Sequence, residues 1–176
     1  MKTIQFILGG CRSGKSKYAL NYANKHWHSP KCFIATSEPL DNEMQSRITN
    51  HQKERGADWQ TIECPIELSQ VIQKESHQFS GMLIDCITLW INNLMCQKMK
   101  EPAIKKQIVL LLDAIQHSDC PIIIVSNEVG LGIVPDNFMA RLYRDLVGYA
   151  NQQIANIADQ VVFMVAGIPI MNYHKS

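Results

Sequence analysis

Gly9-Gly10-Cys11-Arg12-Ser13-Gly14-Lys15-Ser16 follows directly on the apolar run Ile4-Gln5-Phe6-Ile7-Leu8 and leads into a helix-length segment over about 16–26. The octapeptide satisfies G-x-x-x-x-G-K-[ST] at every fixed position, and it stands where that pattern has physical meaning, between a strand and a helix. Gly9 permits a sharp exit from the strand, and Gly14 lacks the Cβ that would keep the backbone from closing round a phosphate. Successive N–H groups then face the anion. Lys15 brings a cation to the β- and γ-phosphates, Ser16 offers its hydroxyl to Mg²⁺, and the helix presents its positive end. These residues make the chain a binder of nucleoside triphosphates on an α/β sheet.

Working outward, short β-type runs near 3–8, 32–36, 59–63, 81–85, 121–126 and 160–165 alternate with helix-length segments near 41–55, 66–75, 87–98, 103–117 and 138–157. That alternation predicts βα units and a mostly parallel sheet covered on both faces. At 176 residues and 46% hydrophobic content the chain is expected to form one domain, 1–176, with a substantial core. Seventeen Lys and Arg against sixteen Asp and Glu leave a net charge of +1. With no run of like charge, no basic face for nucleic acid is expected. The six cysteines form no C-x-x-C pair, so neither a zinc site nor a disulfide framework is suggested. The early first strand leaves no room for a signal peptide, and no apolar run approaches the ~18 residues of a membrane span. A cytoplasmic protein is expected.

Six further positions or stretches carry candidate chemistry. Thr36 ends the second strand, at the edge where open α/β sheets bind ligands; it either approaches the nucleotide or closes a plain buried strand. Arg47, His51 and Arg55 recur every four residues and so share one helix face. Like charge on both sides disfavours the imidazolium, leaving His51 a free lone pair beside two phosphate-binding groups, the setting a histidine needs to attack phosphorus. Spacing alone fits a solvated helix face at least as well. Gly81-Met82-Leu83-Ile84-Asp85 has the form of a strand whose terminal acid holds the Mg²⁺ shell. Asn127-Glu128-Val129-Gly130-Leu131-Gly132-Ile133-Val134-Pro135-Asp136 is too apolar to be left in water without cause, so it covers a large substrate or another subunit. Glu63, at a strand end, either pairs with a guanine edge or is an exposed charge. Arg141, Arg144 and Asp145 either form a solvated face or reach the mouth of the site.

Taken together and in order, these pieces resemble the bifunctional adenosylcobinamide kinase / adenosylcobinamide-phosphate guanylyltransferases. Besides the phosphate loop, the resemblance is carried by Ile34-Ala35-Thr36, Arg47-Ile48, His51, Asp85-Cys86-Ile87-Thr88-Leu89-Trp90, the 127–135 loop, Arg144-Asp145 and Ala166-Gly167-Ile168-Pro169. It implies a single-domain, RecA-like P-loop NTPase acting on adenosylcobinamide. The aminopropanol hydroxyl is phosphorylated with ATP or GTP, and GMP is then moved from GTP to that phosphate through a guanylylated histidine, which matches His51. The implied nucleotide contacts are Gly9, Gly10, Cys11, Arg12, Ser13, Gly14, Lys15, Ser16, Ile34, Ala35, Thr36, Gln52, Lys53, Glu54, Arg55, Glu63 and Asp85. Ser16 and Asp85 are the implied Mg²⁺ residues, direct or through water, and a homo-oligomer, expected to be a trimer, is implied as well. Cys11 stands where Ala is usual. Two other readings compete: a plain P-loop small-molecule kinase in which His51 is structural, and a RecA-type module gripping nucleic acid, which the near-zero charge disfavours.

Overall fold

The computed structural model describes residues 2–37 and 56–174. Among the described residues, seven strands form one sheet in the order β3-β2-β4-β5-β1-β6-β7. They are β1 (Ile4–Gly9), β2 (Lys31–Ala35), β3 (Trp59–Glu63), β4 (Met82–Asp85), β5 (Ile122–Asn127), β6 (Gln160–Val165) and β7 (Ile168–His174). The first six run parallel, and β7 returns antiparallel along β6. The helices are α1 (Lys15–His26), α2 (Leu68–Glu75), α3 (Ile87–Cys96), α4 (Glu101–Gln116) and α5 (Phe138–Ile157).

The strands are apolar on consecutive residues because both faces are covered, as a parallel sheet requires. Alternation then sorts the side chains. Ile34, Ile84, Ile122 and Ile124 enter the larger core with residues of α2, α3, α4 and α5, whereas Phe33, Leu83, Ile123 and Val125 pack with Ala19, Leu20 and Ala23 of α1. Trp90, 1% exposed, is a core residue of α3 whose indole N–H donates to the Ile66 carbonyl at 2.7 Å. α5 is started by Asn137, whose side chain accepts the Ala140 N–H at 3.1 Å.

Six expected strands are present with ends displaced by one residue at most; the helix expected over 41–55 lies outside the described residues. The seventh strand is a correction, since the residues from Met171 onward carry no readable pattern in sequence. Its turn, Ala166-Gly167, holds both residues at positive φ, 50° and 83°, the requirement of a two-residue hairpin. Ala-Gly is a weak signal for such a turn, and Pro169 argues against a strand. The structure accommodates that proline on the sheet edge beside a register shift between Phe163 and Met164, where a missing N–H costs little.

Candidate active site

The parallel strands all finish at one edge, so Gly9, Ala35, Asp85, Asn127 and Val165 are brought to the same side by topology alone. The loop leaving β1 is tightly built. Arg12 adopts φ 55°, and the Gly10 carbonyl accepts the Ser13 N–H at 3.3 Å and the Lys15 ammonium at 2.6 Å. Lys15 also reaches the Ser13 hydroxyl at 3.3 Å. Only 7% of Lys15 is exposed, and that burial holds its pKa below the usual lysine value; Asp85 is the strongest opposing influence, followed by Cys86 and Cys11. The acid and the lysine read from sequence are therefore electrostatically coupled in space. Ser16 is half-buried in the first turn of α1, while Cys11 and Arg12 are exposed.

Thr36 is fully buried and locks two strand ends together. Its hydroxyl accepts the Cys86 N–H at 2.7 Å and donates to the Cys86 carbonyl at 2.8 Å, so β2 is fastened to the residue after Asp85. Asn93 of α3 donates to the Thr36 carbonyl at 2.7 Å and to that of Pro65 at 3.1 Å, adding the exit of β3 to the same knot. The Cys86 thiol is pushed up to about 11, chiefly by burial and next by Asp85, which leaves it protonated and inert. Ile34 and Ala35 are buried within β2.

Glu63 is exposed at the end of β3, paired with Ala35. Four inter-strand steps separate β3 from β1, roughly 19 Å at the usual spacing. The structure thus groups the loop, Lys15, Asp85 and the end of β2, and sets Glu63 at the far side of the same edge. His51, Gln52, Lys53, Glu54 and Arg55, with Arg47, lie outside the described residues.

The segment after β5 shows what the two arginines hold. Arg141 donates to the carbonyls of Pro135 at 2.9 Å and Asp136 at 2.6 Å, and Arg144 donates to the Gly130 carbonyl at 2.8 Å. Glu128 accepts the Gly130 N–H at 2.5 Å. Both guanidinium groups are engaged in tying the loop backbone. With the backbone tied, the side chains face outward: Leu131 is 81% and Ile133 96% exposed, and the apolar surface continues over Val134, Phe138 and Met139. Sequence reasoning missed the support beneath, where Ser126 donates to Asn151 at 2.7 Å and Asn151 donates to the Asn127 carbonyl at 3.2 Å. A polar residue at the end of an otherwise apolar strand was the available signal.

The residues present suit Mg²⁺ held with a nucleotide. That ion takes one or two protein oxygens and keeps phosphate and water for the rest, and here one carboxylate, Asp85, is electrostatically coupled to Lys15, and one hydroxyl, Ser16, follows Lys15 in the first turn of α1. Among the described residues no group of three or more His, Cys, Asp or Glu could hold a metal by itself.

The model of the cobinamide kinase / cobinamide phosphate guanyltransferase family matches residues 5–171. The bifunctional adenosylcobalamin biosynthesis protein CobU of Salmonella typhimurium is 37% identical, the alignment covering 93% of this chain and 96% of the relative. CobP of Pseudomonas aeruginosa, named likewise, is 38% identical over 93% of this chain and 94% of its own. Among solved structures, the RadB recombinase (TM-score 0.50, 14% identity) and the flagellar accessory protein FlaH of Methanocaldococcus jannaschii (0.51, 13%) each cover 92% of this chain, with 73% and 70% of their own lengths matched. At that identity they show the fold alone, a mostly parallel sheet flanked by helices.

Proposed function

We propose a function from one premise: the chain belongs to the cobinamide kinase / cobinamide phosphate guanyltransferase family. It is a bifunctional enzyme of cobalamin biosynthesis, and the observation that carries this is the family match over residues 5–171, which runs from β1 into β7. The finer chemistry is our reading. Adenosylcobinamide presents its aminopropanol hydroxyl to the γ-phosphorus of ATP or GTP; the O–P bond to the β-phosphate breaks and a nucleoside diphosphate leaves. The phosphate so formed then takes GMP from a covalent GMP–His51 adduct, made earlier by attack of the imidazole on the α-phosphorus of GTP with release of pyrophosphate.

The loop backbone and Lys15 bind and orient the phosphates, with the ammonium stabilising charge that grows on them in the transition state. Ser16 and Asp85 would hold Mg²⁺, which when bound neutralises phosphate charge. In this reading a nucleotide seated in the loop lies along the strand ends toward β2 and Glu63 meets its base end rather than its phosphates, which the separation of β3 from β1 in the sheet supports. Gln52 to Arg55 join the nucleotide contacts in this reading, and Arg47 and Arg55 keep His51 neutral by like charge. The apolar loop at 127–135 covers the corrinoid or a second subunit of a homo-oligomer, with a trimer as the expected state and the cytoplasm as the expected location. No helix among the described residues is long and apolar enough to cross a membrane.

Incubation with GTP labelled at the α-phosphorus tests the covalent step. Wild type should retain label that survives base and is lost in acid, the behaviour of an N–P bond. His51→Ala should take up none while keeping most of its kinase activity, because γ-phosphoryl transfer needs no covalent intermediate. Label persisting in the variant places the adduct elsewhere. A chain that transfers only the γ-phosphate, with no exchange between pyrophosphate and GTP, is a simple kinase.

A further inference from the structure

The turn between β6 and β7 lies against the phosphate loop, and the contact involves backbone from both sides. Gly9 pairs in register with Met164, and a Cβ on Gly9 would stand 2.3 Å from the Met164 carbonyl oxygen. One on Gly14 would stand 3.0 Å from the Cα of Gly167. Between these two close approaches the Gly167 N–H donates to the Ser13 carbonyl at 2.9 Å. The hairpin is therefore the rear wall of the loop, and the glycines of the motif are required by that wall as well as by any phosphate.

The hydrogen bond has a directional consequence. The Ser13–Gly14 peptide is trans, so its C=O and N–H point in opposite directions from one plane. With the carbonyl held by Gly167, the Gly14 N–H is aimed away from the hairpin, to the side the wall leaves open. We infer that Gly167 is a positioning residue for nucleotide binding: its N–H fixes the Ser13–Gly14 peptide so that the Gly14 N–H faces the bound phosphate. The turn is shaped for this. Ala166 and Gly167 both hold positive φ, which closes the hairpin in two residues, and a register shift lies just before it at Phe163/Met164. Without the bond, the peptide is free to rotate, and one donor of the anion-binding nest is lost for part of the time.

The inference rests on the proposed nucleotide chemistry, and the experiment separates the two. Gly167 is replaced by glycolic acid through semisynthesis, exchanging the N–H for an ester oxygen while keeping a backbone without Cβ. Titration with Mg²⁺·GTP should show binding weakened roughly 3- to 10-fold, the worth of one hydrogen bond. The KM for nucleotide should rise in step in both reactions, while kcat and the KM for the corrinoid stay within about 2-fold, a split that general loss of structure does not produce. Gly167→Val, which disfavours the positive φ, should move the same quantities in the same direction. If wild type itself fails to bind Mg²⁺·GTP, the functional reading falls. If wild type binds and the ester variant binds within about 1.5-fold of it, the positioning role is overturned, whatever happens to thermal stability; should the valine variant fail to fold, the ester alone decides.

Discussion

Two glycine-bearing loops leave the carboxyl edge of this sheet, and they are built on opposite plans. In the 9–16 loop, backbone packs on backbone: the Met164 carbonyl and Gly167 leave no space for a Cβ at Gly9 or for an easy one at Gly14, and Ser13 and Lys15 are buried. In the 128–137 loop the backbone is tied from below by Arg141 and Arg144, and the apolar side chains are left in solvent. The first plan suits a ligand bound by main-chain N–H groups, where a small displacement misdirects a donor. The second suits a ligand bound by apolar area, for which the side chains are the reagent and the backbone only a frame.

The largest expected effect falls on the first loop. Lys15→Ala should lower the rates of both reactions by on the order of 10²-fold or more, as loss of a single electrostatic donor does elsewhere. A variant with wild-type rates would remove the loop from the mechanism. The lysine also gives a pH signature. Burial lowers its folded pKa below 10.5, so charge on the ammonium, and with it the nucleotide-dependent rate, should be lost at lower pH than an exposed lysine would allow. Folding responds with the opposite sign. Between the depressed folded pKa and 10.5 the unfolded chain binds more protons at this residue, so its contribution to the stability of the nucleotide-free protein rises with pH across that window. Comparing the alkaline unfolding profiles of wild type and Lys15→Met isolates the contribution, and identical profiles would mean the lysine is not desolvated.

Next in size is the knot behind the first loop. Thr36→Val keeps the shape of the side chain, strands the buried N–H of Cys86 and leaves the Cys86 carbonyl with the Trp90 N–H alone, which should cost about 2 kcal/mol. In a chain of this length that is a fall in Tm of roughly 4–8 °C. Calorimetry with and without Mg²⁺·GTP reads both. An unchanged Tm would show that Thr36 touches ligand rather than framework, and so would blur the contrast between the rigid and the exposed loop.

What could be read from sequence follows the same division. The phosphate loop and the alternating strands were legible because their rules are local: a fixed spacing of glycines and a lysine, and periods of two or 3.6 residues. Asp85 was legible as a strand-terminal acid once the loop was known. The hairpin was not, because its turn lacks the Asn-Gly or Asp-Gly signal and Pro169 reads as a strand breaker, while its actual role is set by contacts with residues some 150 positions away. Thr36 reads equally as ligand contact or buried strand end, and only the meeting of β2 with β4 shows its hydroxyl engaged with Cys86. Arg141 and Arg144 could be placed on one stretch of helix, yet their hydrogen bonds to Pro135, Asp136 and Gly130 depend on how the loop folds back, which spacing does not encode. His51 was assigned by resemblance, beyond what helix spacing supports.

The smallest expected effect, and the one that most sharpens the contrast, is on the second loop. Leu131 and Ile133 are almost free of contact with their own chain, so replacing both by Ser should change the stability of the isolated chain by no more than about 0.5 kcal/mol. If a corrinoid or a neighbouring subunit half-covers each side chain, the lost apolar area is worth about 1.4 kcal/mol, a factor of about 10 in binding. The double variant should therefore raise the KM for the corrinoid by about that factor, or shift the oligomer toward smaller species in sedimentation. The Kd for Mg²⁺·GTP should stay the same, because the 9–16 loop is walled by β6 and β7 and the Arg141 and Arg144 bonds that frame the second loop are left in place. A drop in GTP affinity as large as the corrinoid effect would show that the two loops act as one unit, and the division of labour between main-chain and side-chain recognition would have to be abandoned.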